Sequence, residues 1–194
     1  MSTWGGIRTA RFLALSTSMR IALTPVVMGL LLLDGSSPGT AADIAAALFC
    51  VAAATDWIDG RLARRWGVTT TLGSFLDTTA DKLLVTGGLV ALVAVERASP
   101  WIAVLIVGRE LVIMGLRGVI AADGTVMAPS ALGKIKTTAQ FLAIALAIIR
   151  PGDPVAGLYV DEWLMLAAAA VTVASAVDYL VRSAPALSAG GERR

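Results

Sequence analysis

Histidine is absent from the 194 residues, and cysteine occurs once. The first absence removes His-ligated zinc sites and the Ser-His-Asp triad. The second removes an internal disulfide. Cys50 sits mid-run in an apolar stretch and reads as a small buried hydrophobe rather than a catalytic thiol. Charge is scarce, at 15% of residues, where an ordinary soluble domain carries about 25%. The formal net charge of +2, with no basic patch interleaved with aromatics, argues against a nucleic-acid binder. With these residues a bound metal must take oxygen ligands, which points to a hard cation such as magnesium or manganese.

What is abundant is apolar surface. The chain is 57% hydrophobic, with a mean hydropathy of +0.78. A membrane-spanning helix needs about 20 mostly apolar residues. Six stretches qualify, some only if their polar ends reach into protein, at 19–33, 41–65, 72–95, 100–122, 132–149 and 162–181. The Gly, Pro, Asp and Ser of 34–40 and 150–157 mark two of the breaks as turns. The expected fold class is therefore an all-α integral membrane protein of six transmembrane helices, in one domain over 1–194. If the N-terminus is cytoplasmic, 14 of the 16 basic residues fall on the cytoplasmic side, leaving Arg97 and Arg150 outside. Both termini are then cytoplasmic. Residues 1–14 mix Trp4, Ile7 and Phe12 with Arg8 and Arg11, which suits a short N-terminal interfacial helix. The tail 186–194 reads as flexible.

Charge returns where a membrane tolerates it least. Asp56 and Asp59 are three apart, and Asp77 and Asp81 are four apart. Either spacing puts both members of a pair on one helix face. The topology places both pairs at the cytoplasmic ends of consecutive helices, so four carboxylates converge. Such a group must hold protons or bind cations. Gly60 and Gly73 remove side chains near the acids, and Arg64 lies four residues after Gly60. Acids, close-approach glycines and an arginine together suit a metal-bound pyrophosphate. A proton- or cation-coupled transporter would use the acids but leaves Gly60, Arg64 and Gly73 without a purpose. A second basic set, Arg109, Arg117, Lys134 and Lys136, lies on the same side. Arg109 falls inside an apolar span and needs an anion, either Glu110 or an aspartate, or a substrate phosphate.

Asp56, Asp59, Gly60, Ala63, Arg64, Gly73, Asp77 and Asp81 meet the pattern D-x2-D-G-x2-A-R-x8-G-x3-D-x3-D in full. It resembles the signature of the CDP-alcohol phosphotransferases. Within that family, segments 16–27, 108–118 and 133–140 are similar to those of the phosphatidylglycerophosphate synthases. Ala14 and Thr78 stand where asparagine and proline are common in the family. The resemblance implies a six-helix homodimer and two Mg²⁺ or Mn²⁺ ions. It implies transfer of a phosphatidyl group from CDP-diacylglycerol to sn-glycerol 3-phosphate with release of CMP. It assigns Asp56, Asp59, Asp77 and Asp81 to the metals, and Asp81 also to the general base. Gly60, Arg64 and Gly73 join Asp56 and Asp59 at CDP-diacylglycerol. Arg109, Arg117, Lys134 and Lys136 fall to the acceptor phosphate. Phosphatidylglycerol, inositol phosphate or serine remain alternative acceptors for the same chemistry.

Overall fold

Six helices follow one another: α1 Thr3–Asp34, α2 Thr40–Trp66, α3 Thr71–Ala94, α4 Pro100–Ala122, α5 Ala131–Ile149 and α6 Val160–Gly191. The computed structural model describes the backbone of residues 3–66, 71–122 and 131–191. It describes the side chains of 15–55, 73, 75–122 and 132–185.

Each apolar stretch becomes a helix, and the sequence differs from the structure mainly at the two ends. No separate interfacial helix forms. Residues 3–14 run unbroken into the first apolar stretch, making α1 32 residues long. Extending a formed helix adds a hydrogen bond for each residue fixed, and Gly5 and Gly6 are not enough to stop it. At the other end α6 carries on to Gly191, over most of the segment expected to be an unordered tail. Cys50 is exposed rather than buried. The inward face of α2 carries Ala42, Ala45, Phe49 and Ala52, and one residue beyond Phe49 turns Cys50 outward.

Among the described residues, three stretches are long and apolar enough to cross a membrane: Leu15–Asp34, Leu132–Ile149 and Val160–Pro185. The chain is an integral membrane protein. α2 is apolar over Thr40–Thr55 and then becomes charged, and α4 carries Arg109 and Glu110 near its middle and Arg117 further along. Large apolar side chains such as Trp101, Val104, Val112 and Val181 point outward, as a lipid-facing surface requires.

α1 packs against both α2 and α3, while among the described residues those two touch each other little. α5 closes against α2, α3 and α6, and α4 packs on α3 and α6. The core is Leu31, Phe49, Leu84, Leu89, Leu92, Ile106, Ile144 and Ile148. Small residues let the helices approach closely. A Cβ on Gly87 would lie 2.5 Å from the Thr24 methyl group, so only glycine allows α1 and α3 this approach.

One side chain ties the ends of α1, α3 and α5 together. Arg97, 1% exposed, follows α3 and donates to the carbonyls of Gly35, Ser36 and Ile148 at 2.7, 3.2 and 2.8 Å. These acceptors lie at or just beyond the C-termini of α1 and α5, where carbonyls lose their helical partners. Burial holds the Arg97 pKa below its ordinary value, yet a guanidinium stays cationic. At the same end Arg150 pairs with Asp161 and Glu162, and Glu162 accepts the Tyr159 N–H that opens α6. Arg97→Ala leaves three carbonyls without their donor. It is expected to cost about 3 kcal/mol, seen as a fall of several degrees in the thermal unfolding midpoint in detergent. A midpoint within about 1 °C of wild type would remove the tie from this account.

Candidate active site

α3 supplies the described half of the acid motif. Asp77 and Asp81 lie one turn apart, and Asp77 is half-exposed. Arg20 reaches it from α1. Its guanidinium is 1% exposed and donates to Asp77 Oδ1 at 2.8 Å. Gly73 stands exposed in the first turn of α3. Asp56, Asp59, Gly60 and Arg64 lie on the last part of α2, and their side chains are outside the described residues. Their positions along the helix still bear on the site. Asp59 is seven residues before the end of α2, and Asp77 six after the start of α3. Asp56 and Asp81 are each ten residues from those same ends. Two consecutive helices joined by four residues therefore carry their acid pairs at matched depth.

The described acids fit a hard cation. Asp77 and Asp81 are oxygen donors on one helical face, and Arg20 fixes one oxygen of Asp77.

Beside the acids lies a cationic cluster. Lys82, next in sequence to Asp81, donates to Glu110 Oε2 at 2.5 Å. Lys136 of α5 donates to Glu110 Oε1, and Arg109 does so at 3.2 Å. Arg109 also donates to Ser175 of α6 at 2.7 Å. Glu110 and Lys136 are buried, at 7% and 5% exposure. One carboxylate thus gathers cations from α3, α4 and α5, and Arg109 extends the cluster to α6. Close by, Gln140 of α5 donates to Thr172 Oγ1 at 3.0 Å, and Thr172 donates to the Ala168 carbonyl.

Of the four cations assigned to an acceptor phosphate, Arg109 and Lys136 come together. Arg117 instead lies over the Tyr179 ring, 5.5 Å from its centroid, and Lys134 is exposed. The immediate partner of Arg109 is Glu110, one of the two kinds of anion its sequence position called for. Several participants escaped the sequence reading. The role of Arg20 could have been suspected from a charge within the first apolar helix. Lys82 could have been suspected from its place beside Asp81. Ser175, Thr172 and Gln140 gave no signal, since small polar residues in apolar helices are ordinary packing elements.

A helical membrane protein with an acid pair on α3 and a buried cation cluster beside it has the parts a membrane-embedded phosphotransferase needs. The profile of the CDP-alcohol phosphatidyltransferase family matches residues 14–174, and the chain belongs to that family. Among similar proteins is the CDP-diacylglycerol–glycerol-3-phosphate 3-phosphatidyltransferase of Bacillus subtilis (strain 168). It is 38% identical over 183 residues, covering 93% of this chain and 94% of that one. The enzyme of the same name from Escherichia coli (strain K12) is 42% identical over 172 residues, covering 86% of this chain and 91% of that one. That of Sodalis glossinidius (strain morsitans) is 44% identical over 140 residues, covering 70% and 75%.

Proposed function

We propose that the protein transfers the phosphatidyl group of CDP-diacylglycerol to sn-glycerol 3-phosphate, giving phosphatidylglycerophosphate and CMP. Relatives carrying that enzyme name match over most of both chains. The observation in the structure that carries the reading is the succession of Asp81 and Lys82 on α3. It sets the acid motif directly beside a buried cationic cluster able to take a phosphate.

The transfer is a direct displacement. The 1-hydroxyl oxygen of glycerol 3-phosphate bonds to the β-phosphorus as the bond from that phosphorus to the bridging oxygen breaks, and CMP departs. Asp81 accepts the hydroxyl proton. Asp56, Asp59, Asp77 and Asp81 would hold the divalent cations, two Mg²⁺ or Mn²⁺ ions, which would supply charge neutralisation at the pyrophosphate. Gly60, Arg64 and Gly73 contact the CDP moiety. Arg109 and Lys136 hold the acceptor phosphate, with Arg117 and Lys134 nearer its entrance. Positioning and fixed charge account for most of the acceleration.

All six helices span the membrane in this reading. α3 and α4 pack in one bundle with the apolar spans, and among their described charges Lys82, Arg109 and Glu110 meet one another. Both termini and the active site face the cytoplasm, following the distribution of Lys and Arg, in the plasma membrane. A homodimer follows from the family resemblance. Purified protein given CDP-diacylglycerol, Mn²⁺ and a panel of acceptors should release CMP only with glycerol 3-phosphate, and EDTA should stop it. CMP release with phosphatidylglycerol, inositol phosphate or serine instead would replace the acceptor. Cation flux in liposomes without CMP release would replace the reaction.

A further inference from the structure

The charge count of the cluster around Glu110 carries one step more. Lys82, Arg109 and Lys136 bring three positive charges, and Glu110 returns one negative charge to the same point. The surplus is two. A phosphate monoester carries about −1.5 to −2 at neutral pH, because its second pKa is near 6. A phosphodiester carries one negative charge, and serine at neutral pH carries none overall. In a poorly solvated site an unmatched charge is costly, so a surplus of two favours the dianion.

The donors are also incompletely used. Arg109 Nε is buried and has no hydrogen-bond partner among the described atoms. The ammonium groups of Lys82 and Lys136 each carry three protons. Glu110 meanwhile occupies donors of all three cations, as a phosphate oxygen would.

We propose that Glu110 is an internal counterion that competes with the acceptor phosphate for Lys82, Arg109 and Lys136, and so makes the site selective for a phosphomonoester dianion. Glu110 and Lys82 are thereby specificity-determining residues. The inference rests on the acceptor assignment above but goes beyond it. It gives the cluster a charge rule, and the rule can be tested without turnover.

The probe is inorganic phosphate, titrated against the thermal unfolding midpoint of the detergent-purified, metal-loaded protein without CDP-diacylglycerol. A ligand that binds only the folded form raises the midpoint according to its affinity. Lys82→Gln lowers the surplus to one, and phosphate binding should weaken about tenfold. Glu110→Gln raises the surplus to three and removes the competitor, so binding should tighten about tenfold. The double variant restores the surplus of two, and its affinity should return to within about threefold of wild type. A carboxylate that only ties helices together predicts something else. Both single variants would then loosen the site, and phosphate affinity would fall or stay level in each. That outcome overturns the proposal.

If Glu110→Gln gives folded protein only when phosphate is present during extraction, the anion is replacing the lost carboxylate and the proposal stands. If it never folds, Lys82→Gln and the double variant decide. Weakening in the first with recovery in the second supports the charge rule, and any other pair of results ends it. Failure of the acceptor assignment looks different. Wild-type protein would then release no CMP with glycerol 3-phosphate, while the opposed shifts in phosphate affinity would remain.

Discussion

Asp81→Asn will lower CMP release to about a thousandth of the wild-type rate or less. Asparagine keeps the size of the side chain, so the packing of α3 on its neighbours is retained. It loses the two properties that matter here. An amide takes up no proton from the acceptor hydroxyl, and it offers a cation no negative charge. Asp81 sits between the two halves of the site, one turn from Asp77 and next to Lys82. The measurement is CMP release in detergent with CDP-diacylglycerol, Mn²⁺ and saturating glycerol 3-phosphate. The unfolding midpoint should stay near wild type, and much of the CDP-diacylglycerol binding should survive. A rate within about tenfold of wild type would exclude Asp81 as the base.

Arg20→Ala should be the next most damaging, with activity falling about a hundredfold. Arg20 is a positioning residue. It touches no substrate in this account but holds Asp77 Oδ1 at 2.8 Å from a fully buried place on α1. Without it Asp77 can turn toward solvent, and cation affinity falls with the loss of its fixed geometry. Mn²⁺ binding, followed by electron paramagnetic resonance without substrate, should weaken in parallel with activity. Arg20→Lys keeps a charge but not the planar fork, and should recover part of both. If Mn²⁺ affinity is unchanged while activity falls, Arg20 acts through something other than Asp77.

The helices were legible because the chain alternates long apolar runs with turn residues, and because few other structures satisfy a backbone in lipid. The ends were less legible. The mix of apolar and basic residues in 3–14 pointed to a helix but not to its fusion with the first span. Nothing beyond Pro185 is apolar enough to demand burial, so composition gave no reason to expect helix there. Of the site, the acid pairs stood out since charge in an apolar chain is itself a signal. The outcome for Arg109 was half legible. Its need for an anion followed from depth, and Glu110 was the nearest candidate. That Glu110 would also draw Lys82 from 28 residues before it and Lys136 from 26 after it is a fact of packing. Periodicity along one helix carries no information about such a meeting. Arg117 was grouped with the other cations by proximity in sequence, but eight residues along α4 from Arg109 put it on the Tyr179 ring instead.

The tie made by Arg97 bears on how substitutions in this protein should be interpreted. Asp81 lies thirteen residues before the last residue of α3, so about 20 Å of helix separates it from the end that Arg97 secures. A complete survey of single substitutions, scored by growth, will place Arg97 among the least tolerant positions, alongside aspartates with which it shares no chemistry. Intolerance in this chain therefore has two sources, one chemical and one architectural. Separating them takes a measure of abundance beside the measure of activity: variants at Arg97 will be scarce, and variants at Asp81 will be plentiful and inert.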